Sequence, residues 1–169
     1  MGIGVASIAR TPSGIRMMGA GLLALSVWLA RFDVARRTVR QPGVTQFIGV
    51  CLLLGYVWLA VGGVLAIATA AATPGPPYDA LLHAIFLGFV VSMIFGHAPI
   101  VFPAILGVTM SFRRTFYLHV ALLHASVVVR LAGDLVEELG RLRAWGGALN
   151  AAAIALFIVN SISALKRRA

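Results

Sequence analysis

The chain has 169 residues, of which 60% are hydrophobic and 11% are charged, and its mean hydropathy is +0.97. This composition excludes a soluble globular domain and is typical of a protein built from transmembrane helices. The formal net charge of +9 does not indicate nucleic-acid binding, because the arginines stand in short clusters between apolar stretches and do not follow one face.

The apolar stretches predict a single domain, 1–169, with the fold of an all-α integral membrane protein. Short connections make consecutive helices antiparallel, so we expect an up-down bundle. Only 14 residues separate Arg16 from Arg31, which makes the first span the weakest, and a cleaved signal peptide would leave four spans. The five predicted spans lie at about residues 15–31, 44–70, 78–101, 115–136 and 145–165.

The basic clusters predict the orientation of the bundle. They lie on one side if the spans alternate, and the positive-inside rule makes that side cytoplasmic. We therefore expect a multi-pass protein of a bacterial-type inner membrane, with its N-terminus outside and its C-terminus in the cytoplasm. The clusters are Arg31, Arg36, Arg37 and Arg40, then Arg113 and Arg114, then Lys166, Arg167 and Arg168.

The third span, with the stretch HAIFLGFVVSMIFGHAPIVFP, carries His83 and His97. At the α-helical pitch, the 14 residues between them predict a shared face, about 40° apart, and about 21 Å of rise. Pro99 and Pro103 predict an end or a kink close to His97. Ala84, Gly88, Ser92 and Gly96 form a stripe of small residues that would admit another helix or a flat ligand.

Polar residues of the last three spans fall into two layers, and such residues normally face the bundle interior and contact each other. The predicted inner layer holds His97, His119, Asn160 and, deeper, His124. The predicted outer layer holds His83, Asp79, Arg130, Asp134 and Asn150.

Two imidazoles at one depth on facing helices are a common axial ligand pair for haem iron. His97 with His119 or His124 is the candidate pair for haem b, and Met93 is an alternative axial ligand. His83 is a possible second site, which would need a partner chain. Copper bound by His97, Met93 and a histidine of the fourth span is the other option.

Other interpretations of the same residues remain open. Hydrogen bonding within the bundle explains His97, His119 and His124 as well as ligation does, and explains His83 better, because Asp79 stands one turn before it. Arg130 with Asp134, at i,i+4 spacing, favours an internal ion pair over a proton relay, and a contact of Arg130 with a haem propionate is a third role.

The pattern HAIFLGF…MIFGHAP, followed by FYLHVALLHASVVVRLAGD, resembles the histidine-bearing region of NnrS-type proteins over about residues 80–135. That family is similar in turn to the catalytic subunits of haem–copper oxidases. Its members contain haem and copper and are linked to nitric oxide and denitrification stress. The matching positions are His83, Gly96 with His97, and Arg130, whereas GHAPI stands in place of the family's GHTGR-like box.

These observations lead us to expect a haem-binding, or haem- and copper-binding, membrane protein of redox or nitrogen-oxide metabolism. The alternatives are a non-catalytic subunit of a larger membrane complex and a small transporter or proton pathway. The pattern assigns no catalytic residue. Besides the lipid bilayer, a short chain of this kind is expected to have a second copy or a larger complex as partner.

Overall fold

The computed structural model describes residues 11–71 and 73–166, and it is an all-α bundle. Five of its helices are long and apolar enough to cross a membrane, which confirms the predicted fold class. Each lies within a few residues of its predicted position, except that the third continues past its expected end. The spans are Pro12–Phe32, Val44–Thr69, Pro76–Leu106, Phe116–Leu135 and Leu142–Ala164.

Short elements connect the spans. A one-turn helix, Ala35–Thr38, follows the first span, and a 3-10 turn, Glu137–Leu139, precedes the fifth. The two-residue strands Thr109–Met110 and Leu165–Lys166 pair antiparallel. This pairing joins the connection between the third and fourth spans to the end of the fifth span.

The third span changes its helical form twice. It begins as an α-helix, Pro76–Leu82, continues as a π-helix, His83–Val91, and ends as an α-helix, Ser92–Leu106. Pro99 and Pro103 lie inside the last part, which ends at Gly107 with a φ of 64°. The expected stop near Pro99 is therefore absent, because membrane helices tolerate proline where neighbouring groups satisfy the freed carbonyls.

The π-helix explains how the stripe of small residues stays on one face. In an α-helix, residues spaced by four drift by about 40° at each step. A π-turn takes roughly one residue more, so a spacing of four falls short of a full turn and drifts in the opposite direction. The two drifts partly cancel over the stripe, because its first half lies in the π-helix and its second half in the α-helix. Ala84, Gly88, Ser92 and Gly96 are all buried, as the stripe predicts.

Glycines mark the places where the helices approach most closely. A methyl group on Gly19 would lie 2.7 Å from the carbonyl oxygen of Gly63, and one on Gly63 would lie 2.8 Å from that of Gly19. A methyl group on Gly88 would overlap the Trp58 side chain, and one on Gly96 would lie 2.9 Å from Cys51 Cβ. The first and third spans therefore both pack on the second through small residues, as membrane helices commonly do.

The predicted grouping of the basic clusters agrees with the fold. Phe112 and Arg114, beyond the third span, line one cavity of about 600 Å³ together with Pro42 and Gly43, which precede the second. The paired strands bring Lys166 to the same end of the bundle. This end is the basic face, with Arg31, Arg36, Arg37, Arg40, Arg113, Arg114 and Lys166; Arg167 and Arg168 lie outside the described residues.

The contact between Gly19 and Gly63 predicts a sharp difference between two glycine substitutions. Gly63→Val should lower the free energy of unfolding in detergent by about 1–3 kcal/mol, because the added atoms meet the backbone of Gly19 and Leu23 as well as the Leu23 side chain, and the backbone atoms cannot yield. Gly21→Val is the matched control, since nothing lies within 4 Å of a Cβ at Gly21. Equal stability of the two variants would contradict this account of the helix crossing.

Candidate functional site

His97 lies on the outer surface of the bundle. Its side chain is exposed, and Nδ1 lies 2.7 Å from the carbonyl oxygen of Met93, one turn earlier. A carbonyl only accepts hydrogen bonds, so Nδ1 carries the proton and Nε2 keeps a free lone pair. Metal-ligating histidines are commonly held in this way, with the second ring nitrogen bonded to a carbonyl.

His83 repeats the arrangement in the other half of the third span. Its Nδ1 lies 2.6 Å from the carbonyl oxygen of Asp79, and its side chain is half-buried. The 40° separation from His97 that the sequence predicts assumes an α-helix throughout, and the π-helix between the two residues removes that basis. The two histidines share a bonding pattern and differ in exposure.

His124 takes part in a series of hydrogen bonds inside the bundle. Trp58 Nε1 donates to His124 Nδ1 over 2.7 Å, with the two ring planes only 4° apart. An indole can only donate, so the His124 proton sits on Nε2, which lies 3.5 Å from Ser92 Oγ. Ser92 in turn donates to the carbonyl oxygen of Cys51 over 2.8 Å. Each group in this series therefore donates to the next, and the series connects three spans.

His119 is enclosed by aromatic rings. Its residue exposure is 1%, and four phenyl rings surround it with centroids between 4.9 and 6.0 Å away. Its Nδ1 accepts from Asn160 Nδ2 over 3.2 Å, because that nitrogen also donates to the Thr115 carbonyl. Nε2 is buried without a hydrogen-bond partner among the described residues. The four phenyl rings around His119 belong to Phe47, Phe95, Phe116 and Phe157.

The predicted pair of His97 with His119 or His124 is not assembled within one chain. Phe95 faces His119, and His97 follows it by two residues, or about 200° around the helix. Ser92 faces His124, and His97 follows Ser92 by five residues, or about 140°. The ring of His97 therefore points away from both candidate partners.

The three histidines differ in whether their surroundings leave room and a free ring nitrogen for a haem. A porphyrin at His119 would have to displace phenyl rings that fill its surroundings. Ligation of His124 through Nε2 would move its proton to Nδ1, opposite the Trp58 N–H, and leave two donors face to face. His97 alone presents a free Nε2 at an open surface, so it fits a haem approached from outside the chain.

Met93 does not complete a copper site with His97. The Met93 side chain packs inward against Gly55, whereas the imidazole of His97 is exposed. Within residues 11–71 and 73–166, no group of three or more His, Cys, Asp or Glu side chains is placed to hold a metal ion. The described residues of one chain therefore do not bring together a set of ligands for copper.

The outer layer is an ion cluster. Arg130 Nε donates to Asp134 Oδ2 over 3.0 Å, and Arg130 Nη2 lies 3.5 Å from Asp79 Oδ2. Arg143 Nε lies 3.3 Å from Asp134 Oδ1, although its hydrogen points to the Gly133 carbonyl, 2.8 Å away. Two arginines thus balance two aspartates around a fully buried Asp134 side chain. The internal ion pair that the i,i+4 spacing favours is present.

One level below the ion cluster, Ser126 and Asn150 join the fourth and fifth spans. Ser126 Oγ lies 2.6 Å from the Leu123 carbonyl oxygen and 2.5 Å from the Asn150 side chain. The hydroxyl of Ser126 therefore lies between two acceptors, the Leu123 carbonyl oxygen and Asn150 Oδ1, which share its one proton. Asn150 is therefore a link between helices.

Sequence reasoning missed Trp58 as the partner of His124. A signal was present, since a tryptophan in the middle of an apolar span needs an acceptor for its N–H. The rotation of the helices was needed to choose among the acceptors.

One family model, described as "Domain of unknown function (DUF8744)", matches residues 1–166. The chain belongs to the DUF8744 family. No curated protein sequence and no solved structure matches it. The description of this family names no activity.

The hydrogen bonds divide the four histidines into two tautomers. We expect His83 and His97 to carry their proton on Nδ1, and His119 and His124 on Nε2, in the cofactor-free protein at neutral pH. Nitrogen-15 chemical shifts of the imidazoles in detergent micelles measure this directly, with single His→Gln variants for assignment. An Nδ1 proton on His124 would contradict the Trp58 bond.

Proposed function

We propose that this protein binds haem in the membrane at an interface that it forms with a second copy of itself. His97 of each copy would hold the iron through Nε2. The supporting observation is the exposed His97 ring, whose Nδ1 is fixed on Met93 O and whose Nε2 is free. An imidazole turned toward lipid is unfavourable, and a second helix that covers it would remove the unfavourable contact.

The surroundings of His97 suit a flat apolar ligand. Ile94, Ile100 and Val101 are exposed beside it, with exposed fractions of 50%, 56% and 41%. Porphyrin faces pack well on such aliphatic side chains, and the iron would take its ligand from the one polar group among them. His83, half-buried and held in the same tautomer, is the candidate for a second site.

The bound haem would supply electron transfer or binding of a small gas. The residues of the chain would hold and orient it: Met93 O would fix the ring of His97, and the interior bonds of His124 and His119 would keep the bundle rigid behind it. The resemblance of residues 80–135 to NnrS-type proteins supports a place in redox or nitrogen-oxide metabolism. No residue is assigned a catalytic step.

The test is the haem content of the purified protein. We expect a red preparation in which His97→Ala loses one haem for every two chains, together with the corresponding Soret absorbance, and regains both with added imidazole. His124→Asn is the matched control, since the asparagine oxygen takes the place of Nδ1 as the acceptor from Trp58, and it should keep its haem. A His97→Ala variant with full haem content would refute this assignment.

A colourless protein that contains copper by elemental analysis would support the copper alternative in place of haem. A preparation without either would leave the second candidate, a non-catalytic subunit that packs in a larger complex. The interior bonds of His119 and His124 favour that candidate, because they link helices and involve no cofactor.

We also propose that the basic face lies in the cytoplasm of a bacterial-type cell, with the C-terminus inside and the N-terminus outside. The support is the excess of arginine at one end of the bundle. A C-terminal green fluorescent protein fusion should fluoresce in a bacterial host, and a C-terminal alkaline phosphatase fusion should be inactive. The reverse pattern would overturn this orientation.

A further inference from the structure

The end of the first span carries two adjoining cavities of opposite character. One, of about 480 Å³, lies in the connection after the span and contains four arginines and one carboxylate. The other, of about 550 Å³, is an almost purely apolar groove along the side of the span. Both are lined by Arg31 and Phe32, so a single molecule can occupy the two.

The arginine cavity has an excess of positive charge that the described residues do not neutralise. Its one carboxylate, Asp33, accepts the backbone N–H of Ala35 over 2.7 Å and so holds the short helix in place. Arg36, Arg37 and Arg40 make no ion pair among the described residues. Guanidinium groups in such a cluster bind phosphate well, because each offers several donors in one plane.

The groove has the properties of a site for an acyl chain. Leu23, Ala24 and Val27 line the groove. Trp28 lies nearer to its arginine end and has an exposed fraction of 57%. The Trp28 and Phe32 rings lie 6.2 Å apart, and the Arg31 guanidinium lies over the Phe32 ring, 5.9 Å from its centroid. Aromatic rings beside arginine are typical of the level of the lipid headgroups.

We propose that this two-part cavity is a specific site for one anionic phospholipid. The phosphate occupies the arginine cavity, and one acyl chain lies in the groove along the first span. A soluble phosphate compound would fill only the cavity, and a zwitterionic lipid would bring an ammonium group to the arginines. Charge complementarity and the continuity of the two cavities both favour the anionic lipid.

Native mass spectrometry of the purified full chain, with phosphatidylglycerol or phosphatidylcholine added, tests the proposal. We expect one tightly bound phosphatidylglycerol and a loss of at least about tenfold in its affinity in R36Q/R37Q/R40Q. The matched control is R113Q/R114Q/K166Q, which removes the same charge from the same face and should keep the lipid. An equal loss in both variants would mean diffuse attraction to the basic face and would overturn the proposal.

Two further measurements separate the parts of the site. Ala24→Trp fills the groove and leaves every arginine in place, so it should weaken phosphatidylglycerol binding while the protein keeps its helicity and elution volume. Millimolar inorganic phosphate should not displace the lipid. Full displacement by phosphate, or unchanged binding in Ala24→Trp, would refute a lipid site that uses the groove.

Discussion

The structure depends on one constraint, which is that lipid gives helices no hydrophobic reason to associate. Spans that are apolar on all sides must be held together by close packing and by polar bonds. In this chain the two act at different places. The first and second spans touch backbone to backbone at Gly19 and Gly63, whereas the fourth and fifth are linked by Ser126 with Asn150 and by His119 with Asn160.

This division explains the positions of the histidines. His119 and His124 point into the bundle, where their ring nitrogens bond to Asn160 and Trp58. Among the residues that the structure describes, His83 and His97 bond only to carbonyls of their own helix, so they hold none of the other described helices in place. A histidine that contributes nothing to packing and stands at the surface is better explained by something outside the chain, such as the haem proposed at His97.

Much of the fold could be predicted from the sequence, because spans follow from hydropathy alone. The ion pair of Arg130 with Asp134 and the stripe from Ala84 to Gly96 were also predictable, since both depend on spacing within one helix. Whether His97 meets His119 was not predictable, because it depends on how each helix is rotated, and in the bundle the two rings point apart. The bundle sets that rotation through contacts such as Gly88 with Trp58, which no spacing within one span reveals.

The π-helical turns of His83–Val91, which are wider than α-helical turns, also determine how the third span would respond to the loss of a residue. Such turns are equivalent to extra residues taken up without a break in the helix. Loss of one residue from this segment would convert a wide turn into an ordinary one and leave the crossing of the membrane intact. The part of the span that precedes this segment would then rotate about the helix axis relative to the part that follows it. The direction of the His83 side chain would change, whereas His97 would keep its position.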